Sequence, residues 1–308
     1  MADSLRVERG KIGVVTVTYN SEPVLRDFFD SISGQSYPNF VVYVVDNASG
    51  DASVRIAREQ SSFPVVVIPN RDNCGVAEGN NQGIRAALAD GCECVLLLNN
   101  DTVFPPDLFA ALYAGLDRHH CEMTTAKMYF HDTSDMIWAA GGYFEPWLAY
   151  HTRHYGIFRK DIGQFDRARR VTYTPTCCLL VRRTVFDQIG LMDSRYFVYC
   201  DDVDFLYRCL RRKLKLWYLP EARLWHKVSS LTEAESTSFA IRYLHRNRIY
   251  FLRKHMPRWF ALACYWQIQG RSALAYLLRR NSREKWDVRR NAARDGWNMS
   301  LGTAVQWR

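Results

Sequence analysis

"KIGVVTVTYN", residues 11–20, decides the fold. It is a nearly unbroken run of β-branched residues closed by an asparagine that favours a turn. A strand apolar on both faces belongs in a sheet covered on both sides, as parallel sheets are. Working outward, Val24, Leu25, Phe28, Phe29 and Ile32 recur at helical spacing. "FVVYVVDNASGD" (40–51) repeats the design and ends in its own turn residues. "FPVVVIPN" (63–70) reads as a third strand and "CVLLLNND" (94–101) as a fourth. Between them, "NNQGIRAALADG" (80–91) reads as a helix closed by glycine. Strands alternating with helices predict a doubly wound α/β domain. Ligands of such sheets bind beyond the carboxyl ends of the strands. The polar residues that close each run, Asn20, Asp46, Asn70 and Asp101, then face one crevice.

The rest of the chain is less regular. Residues 130–170 hold Trp138, Tyr143, Phe144, Trp147, Tyr150 and Tyr155 with no clean period, which reads as a long excursion. "VTYTPTCCLLVRR" (171–183) has strand character. Val203, Leu206, Tyr207 and Leu210 fit a helix, which sets Asp201 and Asp202 at its N-terminus, where the helix dipole favours negative charge. Residues 239–308 carry 15 Lys+Arg against 3 Asp+Glu, and residues 1–238 carry 26 against 29. All the positive excess of a chain with net charge +9 therefore lies in the tail. Such a tail suits phosphates: nucleic acid, an anionic membrane surface or a phosphorylated lipid. A solvated helical face is the plainer reading. Its most apolar stretch, "ALACYWQIQGRSALAYLL" (261–278), is interrupted by Gln267, Gln269 and Arg271. An amphipathic helix lying in a membrane interface fits it better than a transmembrane span. The nine cysteines show no CxxC and no zinc-type spacing, and "MADSLRVERGK" has no apolar signal core. A reducing, cytoplasmic setting is the expectation. With 308 residues, 48% of them hydrophobic, the chain is long enough for one large domain or a domain with an appendage.

Six motifs stand in one order: "TVTYN" (16–20), "VVDNASGD" (44–51), "NCGVAEGNNQG" (73–83), "LLLNND" (96–101), "FVYCDDVDF" (197–205) and "YLPEARLWH" (218–226). Together they resemble the family 2 glycosyltransferases, inverting enzymes with a GT-A fold, and within them the bacterial rhamnosyltransferase-like branch. The resemblance covers about residues 11–230, and "RYLHRNRIYFLRKH" (242–255) is similar to that branch as well. It implies a catalytic domain over 1–238, a Rossmann-like nucleotide-binding sheet with an acceptor-binding half. A basic, aromatic-rich helical tail over 239–308 would dock a membrane or acceptor.

The resemblance also implies roles. Asn99-Asn100-Asp101 occupies the place of the family's DxD motif, with only the last position acidic. Asp101 would hold Mg2+ or Mn2+, which neutralises charge on a leaving diphosphate. Asn99 and Asn100 would bond sugar or phosphate. Asp46 matches the nucleotide-binding aspartate, suited to the imide N–H of uracil or thymine. Thr18 and Asn20 join it on the donor side. Asn73, Gly75, Gly79 and Asn80 match a second donor loop, whose glycines would let backbone approach the nucleotide. Asp202 matches the base that takes the acceptor hydroxyl's proton, with Asp201 beside it. His226 sits where the family can have a metal-contacting histidine. Asp204 reads as structural.

Plainer readings stand beside these. Asp101 could mark an ordinary strand end, and Asp46 an Asx-turn. Residues 73–80 could simply open a helix. The acidic pair could cap one, and His226 could be packed beside tryptophan. The aromatics of 138–155 suit sugar stacking or core filling equally. Two rival functions explain less. A nucleotidyltransferase would attack phosphorus and show a Gly-rich, Arg/Lys signature near the first strand. A nucleic-acid-binding protein would leave carboxylates 46, 101, 201 and 202 unexplained, since phosphate backbones repel them. The expected partners are therefore a dTDP- or UDP-sugar donor, a glycan or lipid-linked acceptor and an anionic membrane surface, with no nucleic acid. The expected place is the inner face of the cell membrane. dTDP-rhamnose stands ahead of UDP-hexoses as donor.

Overall fold

The computed structural model describes residues 10–227, 237–280 and 282–302. The N-terminal residues 1–9, read above for a signal segment, lie outside them. The nucleotide-binding half follows the sequence pattern. β1 (Ile12–Thr18), β2 (Phe40–Asp46), β3 (Val65–Pro69) and β4 (Cys94–Leu98) are parallel, in the order β3-β2-β1-β4. Helices α1 (Glu22–Ser33), α2 (Ser53–Arg58) and α3 (Gly75–Ala89) connect them. β1 alternates between two core layers. Val15 faces Ala77, Ile84 and Ala87 of α3, while Ile12 and Val14 join Leu25, Phe28, Phe29 and Ile32 of α1. The helix expected over 80–91 begins earlier, at Gly75, so residues 75–80 are its first turns rather than a free loop.

The second half is mixed. After β4 come β5 (Thr102–Val103), α4 (Leu108–Arg118) and β6 (Met123–Phe130). The excursion of 130–170 forms β7 (Met136–Ala139), β8 (Gly142–Glu145), β9 (His151–His154) and β10 (Arg159–Lys160). β8 and β9 pair as a separate antiparallel ribbon. The single strand expected over 171–183 is two, β11 (Arg169–Val171) and β12 (Cys178–Arg182). Pro175 lies between them, and a residue without an N–H interrupts a ladder. β12 runs antiparallel between β4 and β6 and continues the main sheet. Then follow α5 (Arg183–Ile189), α6 (Asp201–Arg211) and β13 (Leu216–His226), which lies parallel to β6.

Among the described residues the tail forms three helices, Ser238–His255, Arg258–Leu277 and Arg283–Asn298. A boundary at 238/239 does not coincide with a break in packing. Tyr250, Phe251 and Leu252 of the first helix are buried in the same core layer as α6. Asp204 of α6 is fully buried. Its carboxylate meets Lys254 Nζ and His255 Nε2 of that helix, each at 2.7 Å, and Arg208 Nε at 2.8 Å. Burial opposes ionisation of Asp204, yet these cationic partners hold it well below the usual carboxylate range. Asp204 is structural, as expected.

Candidate active site

The carboxyl ends of β1, β2 and β4 lie side by side. Thr18 and Asp46 are paired in the β1–β2 register. The Thr18 hydroxyl donates to Asp46 Oδ1 at 2.8 Å, and Ser49 donates its hydroxyl to Oδ1 at 2.5 Å and its N–H to Oδ2 at 2.9 Å. A carboxylate accepts about four hydrogen bonds, so one acceptor position remains, on Oδ2. Thr18 is fully buried, and its hydroxyl is spent on Asp46. Asn20, at φ 52, uses its side-chain oxygen to hold the Gly50 N–H at 2.8 Å, which fixes the turn after β2. Asn100 Nδ2 donates to the Val17 carbonyl at 2.7 Å and ties the end of β4 to β1. The side chain of Asn99 is exposed, and its N–H donates to the Cys177 carbonyl at 3.0 Å.

The glycines of the 73–80 segment meet protein. Gly75 has φ +83, and a Cβ there would lie 2.5 Å from the Phe197 carbonyl oxygen. A Cβ on Gly79 would lie 2.9 Å from Val17, so this glycine lets α3 close on β1. The close approach expected toward a nucleotide is made here by Phe197 and Val17. Asn73 Oδ1 accepts the Gly75 N–H at 2.9 Å, and Asn80 is buried on α3.

Pairing of β13 with β5 sets His226 opposite Thr102 and so brings it beside Asp101. His226 Nε2 and Asp101 Oδ1 stand 3.0 Å apart. Both atoms are buried, and neither makes a well-aligned hydrogen bond. Two ligands about 2.1 Å from an octahedral cation are about 3 Å apart, so this orphaned pair fits one divalent ion. Among the described residues no cluster of three or more His, Cys, Asp and Glu side chains could hold a metal. An ion held by these two side chains would take its remaining ligands from a diphosphate and water, as is usual for Mg2+ bound with nucleotides.

The acidic pair opens α6. Cys200 before it takes a left-handed φ of 62, which turns the chain into the helix. Asp201 is buried and Asp202 is half-buried. Burial first, and the charge of Asp202 second, push the Asp201 carboxyl up to about 7. Burial also raises Asp202, opposed by hydrogen bonds from the Tyr173 hydroxyl and the Val203 N–H. The more open member thus carries the bonds that favour a carboxylate, and the buried member favours the acid. A run of aromatic contacts joins the two charged centres. Trp138 packs on His226 at 4.5 Å between ring centroids and on His154 at 5.7 Å. His154 is 5.6 Å from Tyr173, whose hydroxyl bonds Asp202 at 2.6 Å. Of these three, only Trp138 was read from sequence as a candidate, among the aromatics of 138–155 suited to sugar stacking or core filling. His154 and Tyr173 were not, because no local spacing signals that they face a site.

Residues 13–190, more than half of the chain, match the family described as glycosyl transferase family 2. The chain belongs to that family. One relative of this glycosyltransferase is the low-salt glycan biosynthesis hexosyltransferase Agl10 of Haloferax volcanii. It is 25% identical over 209 residues, 67% of this chain and 63% of that protein. The chain thus spans somewhat under two thirds of that relative. Another is the N-acetylglucosaminyl-diphospho-decaprenol L-rhamnosyltransferase of Mycobacterium tuberculosis, 26% identical over 299 residues, 87% of this chain and 93% of that protein. Among solved structures, the mannosyltransferase PcManGT from Pyrobaculum calidifontis, in complex with GDP-Man and Mn2+, is similar with a TM-score of 0.57. It is 14% identical, covering 94% of this chain and 86% of that one. A likeness at that identity shows the shared GT-A fold alone.

Proposed function

We propose that this glycosyltransferase moves a sugar, with inversion, from a pyrimidine nucleoside-diphosphate donor to a hydroxyl of a polysaccharide or lipid-linked glycan at the inner face of the cell membrane. The observation that carries the reading is the orphaned Asp101–His226 pair at the carboxyl end of the sheet. Asp101 and His226 would hold Mg2+ or Mn2+, and the ion would neutralise charge on the leaving diphosphate. Asp46 Oδ2 accepts the N3–H that uracil and thymine share. Asn99 bonds sugar or phosphate, and Asn100 fixes the loop that carries Asp101. Asn73, Gly75, Gly79 and Asn80 serve the donor side by fixing the start of α3. Asp202 takes the proton of the acceptor hydroxyl as its oxygen attacks C1. The sugar–phosphate bond breaks on the opposite face, and its electron pair leaves with the nucleotide. Asp201 keeps its neighbour oriented.

dTDP-rhamnose stands ahead of UDP-hexoses because a relative aligned over most of both chains is named a rhamnosyltransferase. The same Asp46 contact serves both bases, and a 6-deoxy sugar gains only about 1–3 kcal/mol from an apolar wall. Hydrolysis of UDP-, dTDP- and GDP-sugars, with and without Mg2+ or Mn2+, tests the reading. Turnover of dTDP-rhamnose that requires metal is expected. Preferential use of GDP-sugars would overturn the role of Asp46.

The membrane side rests on the second tail helix. One flank packs inward through Ala261 and Cys264. The opposite flank presents Trp259 (71% exposed), Leu262, Trp266 (65%), Leu274 and Leu277 (73%). These residues recur at helical spacing and form an exposed apolar stripe. Arg258, Arg271, Arg279 and Arg280 lie along and after it. Tryptophan and leucine on one face with arginine beside them suit the interface of an anionic bilayer. Among the described residues no helix is long and apolar enough to cross a membrane.

A further inference from the structure

Asp202 is held from two sides. Its Oδ1 accepts the Val203 N–H at 2.7 Å, and its Oδ2 accepts the Tyr173 hydroxyl at 2.6 Å. The first bond belongs to the opening turn of α6. The second comes from the connection between β11 and β12, 29 residues earlier in the chain. Tyr173 is itself tightly placed. It is buried, its N–H donates to the Gly142 carbonyl, and its ring meets Phe144 edge-on at 5.7 Å. Burial and the charge of Asp202 push its phenol well above the ordinary value, so it remains a donor throughout the working pH range.

We propose that Tyr173 is the positioning residue of the base: its hydroxyl fixes the orientation of the Asp202 carboxylate and favours its ionised form. The inference rests on Asp202 being the base. Tyr173 never exchanges its own proton in the reaction. The proton leaving the acceptor hydroxyl goes to Asp202, and Tyr173 keeps one oxygen of that carboxylate pinned while the other lone pairs face the acceptor. The other ionisable groups around Asp202 are Asp201 on the same helix and Cys200 before it. Beyond them, His154 of β9 lies against Tyr173, and Arg248 of the first tail helix lies beside Cys200. Burial pushes the His154 imidazole down to about 4 and the Cys200 thiol up to about 12, so both are neutral at the working pH. Arg248 hydrogen-bonds the carbonyls of Leu148 and Tyr150 rather than either carboxylate. The side-chain donor bonded directly to Asp202 is therefore Tyr173, beside the Val203 N–H of the helix turn. A hydrogen bond to an ionised acceptor is stronger than one to its neutral form, so its removal raises the pH at which the base becomes competent.

The test is Tyr173→Phe in the full chain, assayed from pH 5 to 9 with dTDP-rhamnose, or with UDP-glucose if the donor panel selects it. The expected result is a kcat lower by about tenfold, the usual worth of a hydrogen bond to a charged group. The acidic limb of the pH profile should move up by about one unit, with donor KM unchanged. A kcat and limb equal to the parent's would overturn the inference. Asp202→Asn, run in parallel, separates the two levels. Near-parental turnover in Asp202→Asn removes the base assignment itself. Its loss, beside an unshifted Tyr173→Phe profile, removes only the role of Tyr173. If Tyr173→Phe does not fold, 3,5-difluorotyrosine at position 173 supplies a stronger donor of the same shape. It should move the limb to lower pH, and no movement would overturn the inference.

Discussion

Asp201 and Asp202 are neighbours in sequence with unlike surroundings, and this difference is testable without knowing the substrate. The folded chain holds the Asp201 proton up to about pH 7, whereas an unfolded aspartate releases it near pH 4. Between those values the native state binds more protons than the unfolded one, so stability contributed at this site falls as pH rises through the window. Asp201→Asn removes the penalty. Its melting temperature relative to the parent should therefore improve from pH 4.5 to pH 8. A difference constant across that range would contradict the burial argument. Asp46, Asp101, Asp201 and Asp202 were legible in the sequence because each closes a strand or opens a helix within an ordered set of motifs. Tyr173 and Asn247 were not. Each acts through a contact across tens of residues, Tyr173 with Asp202 and Asn247 with Tyr196, Val198 and Tyr199. Neither sits in a pattern that local spacing reveals.

At the scale of elements, the first tail helix is a clamp on the segment that delivers the acidic pair. Phe197, Tyr199 and Cys200 all have positive φ, between 62 and 64. Such residues cost of order 1–3 kcal/mol each and persist only where their surroundings hold them. Asn247 is fully buried, and its Nδ2 donates to the carbonyls of Tyr196, Val198 and Tyr199 at 2.7–2.9 Å. Arg246 Nη2 adds bonds to Arg195 and Tyr196. On the other side, Val76 of α3 donates to the Phe197 carbonyl at 2.6 Å. One strained segment thus touches the donor-side helix, the acidic pair and the tail. Asn247→Ala removes a buried donor that three carbonyls share, which should cost about 1–3 kcal/mol. Urea denaturation would measure it, and an unchanged midpoint would contradict the clamp. The four strands of the first half were legible as unbroken apolar runs closed by turn residues, and α1 and α3 by their helical spacing or closing glycine, whereas the short α2 was not read. The ribbon of β8 and β9 was not, because it lies apart from the main sheet and few of its residues alternate in burial over more than four positions. The helical tail was expected, but its charge concealed that Tyr250, Phe251 and Leu252 belong to the core.

At the scale of the whole molecule, the described residues form a sheet with Asp46 and Asp101 at its carboxyl end, an acidic pair that opens α6, and a basic tail of three helices with one apolar flank exposed. The intact protein should sediment with phosphatidylglycerol-rich vesicles and little with phosphatidylcholine alone, since each Lys or Arg near an anionic surface is worth about 1 kcal/mol. Trp259→Ser with Trp266→Ser should release the protein while leaving its melting temperature near the parent's, because both side chains are exposed. Equal sedimentation of parent and variant would contradict membrane docking through this face, and self-association through the face would appear as a change in oligomeric state between them. The proposed function rests on a nucleoside diphosphate binding at the carboxyl end of the sheet through a metal held by Asp101. Calorimetric titration of dTDP into the parent and into Asp101→Ala, each with and without Mn2+, tests it most directly. Mn2+ should tighten dTDP binding to the parent and give no gain in the variant, whereas the same metal dependence in both proteins would remove Asp101 from the metal site.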